Sequence, residues 1–339
     1  ETVADENGCR ASFLWTPKEV LSVESYDGET VYEEGIDYLV EGDELVIPEG
    51  SHIPVTGWDT FLYPDFDTAK KAGEASEFAK DFGPLVTTNG KFLNLCAIGN
   101  PKLVTEKQIA VTYKATKKEL LSAPESQLDK LPKLSAKLEA GEPVKIVLYG
   151  DSVCCGCDCS GMYGQKPGQP TWAELLFHQM EEKWQSPVCF HSTSVGGVDS
   201  EWAIENSSQR AANFHPDLVI LGFGMNDRCG MEEYRNKTGR LMEAIRKVSP
   251  KTEFLLIAST LPNELAATEP HHFWAHQDEY SESLKGLEGM GVAIADIQAV
   301  QKEIGKRKRY IDITGNWLNH PNDYLARILA QVVIKTLGM

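Results

Sequence analysis

The sequence has no surplus of positive charge. Its 33 lysines and arginines face 50 aspartates and glutamates, a formal net charge of −17. Gripping a phosphate backbone or an anionic membrane takes a basic surface, so neither nucleic acid nor membrane is an expected partner. No apolar run approaches the ~20 residues that a membrane-spanning helix needs. The opening stretch ETVADENGCRASFLW has neither the basic start nor the apolar centre of a secretory leader. There is no internal repeat and no low-complexity segment. A spaced cysteine framework is also missing. The eight cysteines are Cys9, Cys96, Cys154, Cys155, Cys157, Cys159, Cys189 and Cys229, and four of them crowd into one short stretch. That pattern points to reduced thiols and a cytoplasmic setting rather than to a disulfide-stapled secreted domain.

What is present is an ordinary globular composition, 42% hydrophobic and 24% charged over 339 residues, long enough for two folded units. The two halves differ in pattern. Residues 1–116 hold short alternating runs such as ETVYEEGIDYLVEGDELVIP (29–48) and KQIAVTYKAT (107–116), broken by Glu-Gly and Gly-Asp turns, and no long helical stripe. They read as a small β-sandwich. Residues 117–143 are polar and read as a linker with one short helix.

From residue 144 to 339 strands and helices alternate. VKIVLYG (144–150), VCFHSTS (188–194), DLVILGFG (217–224), EFLLIAS (253–259) and GVAIADI (291–297) read as strands. Helices are expected at 171–184, 200–214, 231–248, near 276–288 and at 321–338. Thr171 and Glu174 have capping-box spacing, Pro321 suits a first helical turn and Gly338 a stop. This alternation makes an α/β domain: a parallel sheet with helices on both faces, binding ligands beyond the carboxyl ends of its strands.

Polar groups collect at those ends. Gly150-Asp151-Ser152 follows the first strand, Gly196-Gly197-Val198-Asp199 the second and Gly224-Met225-Asn226-Asp227 the third. Asn319-His320 stands before the last helix. Acyl transfer needs a hydroxyl, a base within reach and donors aimed at the developing oxyanion. Ser152 can be the hydroxyl, on a turn that Gly150 permits. His320 can be the base, and the positive end of the last helix is expected to keep it neutral near pH ~7. Gly197 offers a backbone N–H and Asn226 a side-chain amide. Asp151, Asp199 and Asp227 read as scaffold.

Four such blocks in this order resemble the SGNH (GDSL-type) hydrolases, over about residues 144–339. The resemblance implies a flavodoxin-like three-layer α/β/α fold and esterase or deacetylase activity without a metal or other cofactor. Carried over residue by residue, it makes Ser152 the nucleophile and His320 the general base. The Ser152 N–H, the Gly197 N–H and the Asn226 side chain would form the oxyanion hole. GEPVKIVLYGDS, DLVILGFGMND and DITGNWLNHPND also resemble two-domain bacterial members with a β-rich N-terminal domain, many of them sugar-ester or related acetyl esterases. The family's last block is Asp-x-x-His, yet Trp317 stands three residues before His320. Either a backbone carbonyl holds the imidazole or a more distant acid does, such as Asp312.

The expected function is therefore removal of a small acyl group, with acetyl first, from a sugar or glycan through an acyl-enzyme. A short-chain lipase or thioesterase and a non-catalytic glycan-binding relative are the alternatives. The cysteine run has no distant matching pair of the kind that structural zinc uses, and it reads as small side chains packed behind the nucleophile turn. A Cys157–Cys229 disulfide stays open. His271, His272, Trp274 and His276, after the fourth strand, would line a sugar cleft or simply anchor their loop. Trp58, Phe61 and Tyr63 read as core or interdomain packing, with substrate or a second copy in a homo-oligomer as the other uses.

Overall fold

The structure is a computed structural model that describes residues 2–5, 8–77, 79–81, 83–115, 124–266 and 276–339. Five strands form the central sheet: β1 (Val144–Gly150), β2 (Val188–Ser192), β3 (Leu218–Gly222), β4 (Glu253–Ile257) and β5 (Val292–Ala295). All pairings are parallel, in the order β2-β1-β3-β4-β5, which is the flavodoxin-like arrangement. The near-continuous apolar runs are explained by burial on both faces. Successive side chains point to opposite sides, so Ile146 and Leu148 enter one core while Val147 and Tyr149 enter the other. Leu218 and Ile220 part from Val219 and Leu221 in the same way.

Helices cover each face. Around β1 to β5 run α1 (Ser152–Cys155), α2 (Trp172–Lys183), α3 (Ser200–Arg210), α4 (Met231–Val248), α5 (Tyr280–Lys285), α6 (Ile297–Gly305) and α7 (Asp323–Thr336). Trp172, Leu176, Val300, Leu325 and Leu329, from α2, α6 and α7, fill one core. Ala203, Tyr234, Leu241 and Leu284, from α3, α4 and α5, fill the other. The capping box of Thr171 and Glu174 is formed at the start of α2. The last helix begins later than the proline suggests. Asn322 is its N-cap, accepting from the Leu325 N–H, and Pro321 stays outside. Asparagine offers a cap oxygen that proline cannot.

In the N-terminal region a five-stranded sheet includes Gly8–Ser12 and Glu44–Ile47, and an antiparallel pair joins Pro17–Ser25 to Ile109–Ala115. Phe13, Val23, Tyr38, Leu45 and Ile47 form the core between them, with Val111 and Tyr113 packed against it. A helix at Phe66–Glu74 was not expected. Ala69 is its one buried residue, so it leaves no apolar stripe to read. Beyond the undescribed residues 116–123, a helix at Pro132–Glu139 sends Leu134 into the main core, next to Leu131. The buried Glu253 carboxylate accepts its Lys133 and Leu134 N–H groups at 3.1 and 2.9 Å.

A third apolar cluster joins the two halves. Phe61, Leu95, Ala97 and Val104 from the N-terminal region pack with Ile311, Trp317 and Leu318 from the segment before α7. The Phe61 and Trp317 rings meet edge to face, with centroids 5.0 Å apart. Trp58 is partly exposed beside Phe61, and Tyr63 is half-buried near Cys96.

Candidate active site

The carboxyl ends of β1 and β3 lie side by side, with Gly150 paired to Gly222. A Cβ on Gly150 would fall 2.3 Å from Cys154 Sγ and 2.4 Å from the Gly222 carbonyl oxygen, so only glycine lets the chain turn there. Asp151 caps α1. Its carboxylate accepts the Val153 N–H at 3.0 Å and the Met225 N–H at 3.1 Å, tying the β1 turn to the loop after β3. Burial pushes the Asp151 carboxyl up to about 7, against those two donors. Asp199 caps α3 through the Trp202 N–H, and Asp227 accepts from the Ser200 backbone and hydroxyl. All three aspartates hold loops.

Ser152, the first residue of α1, opens onto a cavity of about 1200 Å³. Gly196, Gly197, Asn226 and His320 line the same cavity, although the sequence spreads them widely. The His320 Nε2 lies 2.8 Å from the Ser152 Oγ. Gly197 adopts φ +78°, a conformation open to glycine, and a Cβ on Gly196 would stand 3.7 Å from Ser152 Cβ. The Asn226 amide donates one N–H to the Val198 carbonyl at 2.9 Å. Its second N–H remains for the cavity, since a primary amide carries two.

The acid on the far side of the imidazole is one that sequence reading passed over. Asp158 Oδ2 stands 2.5 Å from His320 Nδ1. Asp312, the acid suggested above, is instead paired with Arg309 at 3.1 Å, and its carboxyl is held well below the usual range. Burial works against that, and the neighbouring cations outweigh it. Position 317 cannot supply an acid because Trp317 is buried in the apolar cluster shared with Phe61. The one signal for Asp158 was its place in the cysteine run, six residues after Ser152, where it looked like part of a packing block.

The local chain explains this geometry. Asp158 has φ +63°, a conformation for which aspartate is among the better-tolerated non-glycine residues. Gly315 lies against it so closely that a Cβ there would be 2.3 Å from the Asp158 carbonyl oxygen. Asn316 Oδ1 accepts the N–H groups of Leu318, Asn319 and His320 and so sets the loop that presents the histidine. The Thr314 hydroxyl and the Gly315 N–H donate to the His320 carbonyl at 3.0 and 2.9 Å.

Near α7 the imidazole was expected to stay neutral. Its pKa is raised instead. Burial is the largest influence and opposes the charge, but the Asp158 carboxylate, by charge and hydrogen bond and with smaller help from Cys157 and Asp151, outweighs it.

The eight cysteines are free thiols, so Cys157 and Cys229 are not joined. Cys154 donates to the Gly222 carbonyl at 3.3 Å, and Cys159 to that of Pro321 at 3.6 Å. Both are buried, which raises their thiols well above the ordinary range. Among the described residues no group of three or more His, Cys, Asp or Glu side chains is gathered for a metal. His271, His272 and Trp274 lie outside the described residues, while His276 is partly exposed and stands 3.4 Å from the Glu279 carboxylate.

The model of the GDSL-like lipase/acylhydrolase family matches residues 148–328, more than half of the chain. Among solved structures, a two-domain esterase (CEX) active on acetylated mannans superposes with a TM-score of 0.50 at 19% identity. The match covers 63% of this chain and 54% of that one, so the chain spans about half the length of that esterase. Axe2, an acetylxylan esterase from Geobacillus stearothermophilus, gives a TM-score of 0.47 at 16% identity, covering 58% of this chain and 94% of its own. At these identities the likeness concerns the fold. No curated protein matches the sequence.

Proposed function

The chain belongs to the GDSL-like lipase/acylhydrolase family, and on that premise we propose that it is a serine esterase removing small acyl groups, acetyl foremost, from a sugar or glycan. One observation carries the reading: the Ser152 hydroxyl, the His320 imidazole and the Asp158 carboxylate form one hydrogen-bonded line at a cavity. Asp158 fixes the tautomer, leaving Nε2 free to accept the Ser152 proton. The serine oxygen attacks the ester carbonyl, and the resulting oxyanion receives N–H bonds from the Ser152 and Gly197 backbones and from Asn226. As the tetrahedral intermediate collapses, the carbonyl carbon–alkoxy oxygen bond breaks. The proton on Nε2 passes to the leaving sugar oxygen. Water then gives a proton to His320, attacks the acyl-enzyme and releases the acid, with the proton returning to Ser152.

Glu77, Asp81, Asp199 and Glu233, with Arg228 and Lys237, line the cavity with charged groups that can bond sugar hydroxyls. The two-domain esterase that shares the fold is active on acetylated mannans. The non-catalytic alternative drew on the missing acid at position 317, and Asp158 removes that argument.

The test is hydrolysis of p-nitrophenyl acetate and of acetylated mannan and xylan oligosaccharides. Acetate release by the native protein, lost in Ser152→Ala, is expected. Undiminished release by Ser152→Ala would refute the mechanism, and faster cleavage of octanoate than of acetate would move the assignment to a lipase.

A further inference from the structure

The Asp158 carboxylate has a second partner, and it comes from the other half of the molecule. Its Oδ1 accepts the backbone N–H of Gly99 at 3.0 Å, across 59 residues of sequence. Asp158 is almost wholly buried, so no bulk water competes for that oxygen. We propose that Gly99 is a positioning residue of the active site, and that the N-terminal region thereby completes the catalytic machinery rather than standing beside it. The inference rests on the Ser152–His320–Asp158 reading above.

The physical case has three parts. A carboxylate bound through one oxygen alone can rotate about its Cβ–Cγ bond. With Oδ2 on His320 and Oδ1 on Gly99, both carboxylate oxygens are engaged and rotation about Cβ–Cγ is restrained, with the Tyr163 hydroxyl a further partner of the same carboxylate. A charge-assisted N–H bond is also stronger than one between neutral groups, so it holds the carboxylate in place. The donor itself is fixed. Gly99 has φ +69° in a turn where Ile98 N–H bonds the Leu95 carbonyl and Asn100 N–H bonds that of Ala97. Leu95 and Ala97 are buried in the cluster shared with Trp317 and Leu318, on the segment that presents His320. Gln108 adds a bond from its side-chain amide to the Thr314 carbonyl at 3.3 Å. The same packing therefore places the Gly99 amide and the histidine loop in register. Ile98 and Gly99 also line the cavity next to Ser152.

Two measurements on the full chain test this. In the first, the Gly99 amide is followed by ¹H–¹⁵N NMR in the native protein and in Asp158→Asn. Loss of the charge-assisted bond is expected to move the amide proton upfield and speed its exchange with solvent, and an unmoved, equally protected amide would overturn the proposal. This readout requires no turnover. In the second, an ester in place of the Ile98–Gly99 amide removes the N–H without changing the residue or its positive φ, which proline could not adopt, while Gly99→Asn keeps the N–H with a residue that tolerates positive φ. On p-nitrophenyl acetate, the ester is expected to lower kcat about 10- to 100-fold with little change in KM. Gly99→Asn should stay within about threefold of native, and the ester should cost nothing further once Asp158 is already Asn. Equal losses in both backgrounds would mark Gly99 as merely structural. If Ser152→Ala retained full activity, the esterase reading would fall, whereas the amide measurement would still decide whether Gly99 serves Asp158.

Discussion

His320 Nδ1 and Asp158 Oδ2 stand 2.5 Å apart although 162 residues separate them in sequence. The carboxylate beside the histidine thus lies six positions after Ser152 and comes from the same strand-end loop, not from the block that carries the histidine. Replacing Asp158 with Asn should lower kcat by about 10³–10⁴-fold, because the amide favours the wrong imidazole tautomer. Asp312→Asn should leave kcat within about twofold at temperatures where the fold is intact. A large loss in the second variant and none in the first would reverse the assignment.

The raised imidazole sets the pH response. Attack needs His320 neutral, so activity should climb as pH rises through an elevated histidine pKa. In Asp158→Asn the residual activity should climb at lower pH, since the charge favouring imidazolium is gone. The acidic limb of kcat/KM against pH reads this directly, and a limb that stays in place would contradict it.

Asn226→Ala removes a side-chain donor while leaving the base untouched. A fall in kcat of about 10²–10³-fold, with KM nearly constant, is the signature of a bond made in the transition state alone. A rise in KM at constant kcat would make Asn226 a ground-state binding residue.

Trp317 occupies the position where the family carries its acid, and it serves packing instead. Its buried ring against Phe61 predicts that Trp317→Ala costs about 3–5 kcal/mol in chemical denaturation. Trp317→Asp should be worse and should not restore activity to Asp158→Asn, since a carboxylate would replace a ring packed in the apolar cluster with Phe61. Rescue by that double substitution would show that either site can hold the acid.

Asp151 gives a stability test. Its folded pKa of about 7 lies above the ordinary carboxyl value, so the fold binds an extra proton in between. That contribution is complete below the unfolded pKa and is lost as pH rises through about 7. Asp151→Asn should therefore compare more favourably with native in Tm at about pH 8 than at about pH 5. An equal difference at both would mean that the carboxyl titrates normally.

Much of this architecture was legible in the chain. The apolar runs at 144–150 and 217–224 required burial on both faces, and their alternation with helices required parallel pairing. Parallel pairing places strand ends together, which is why Ser152, Gly197 and Asn226 could be nominated without coordinates. Local chemistry likewise fixed the cap at Thr171 and the strand grammar of the N-terminal region. Three things were decided by tertiary structure alone. The partner of His320 depends on a loop with positive φ at Asp158 closing against Gly315, a contact between segments that no local pattern encodes. The protonation tendency of His320 depends on which charge lies nearest, and the carboxylate outweighs the burial that was opposing it. The approach of Gly99 to the site depends on packing between distant apolar residues. Periodicity reports which face of an element is buried, but it does not report what that face meets.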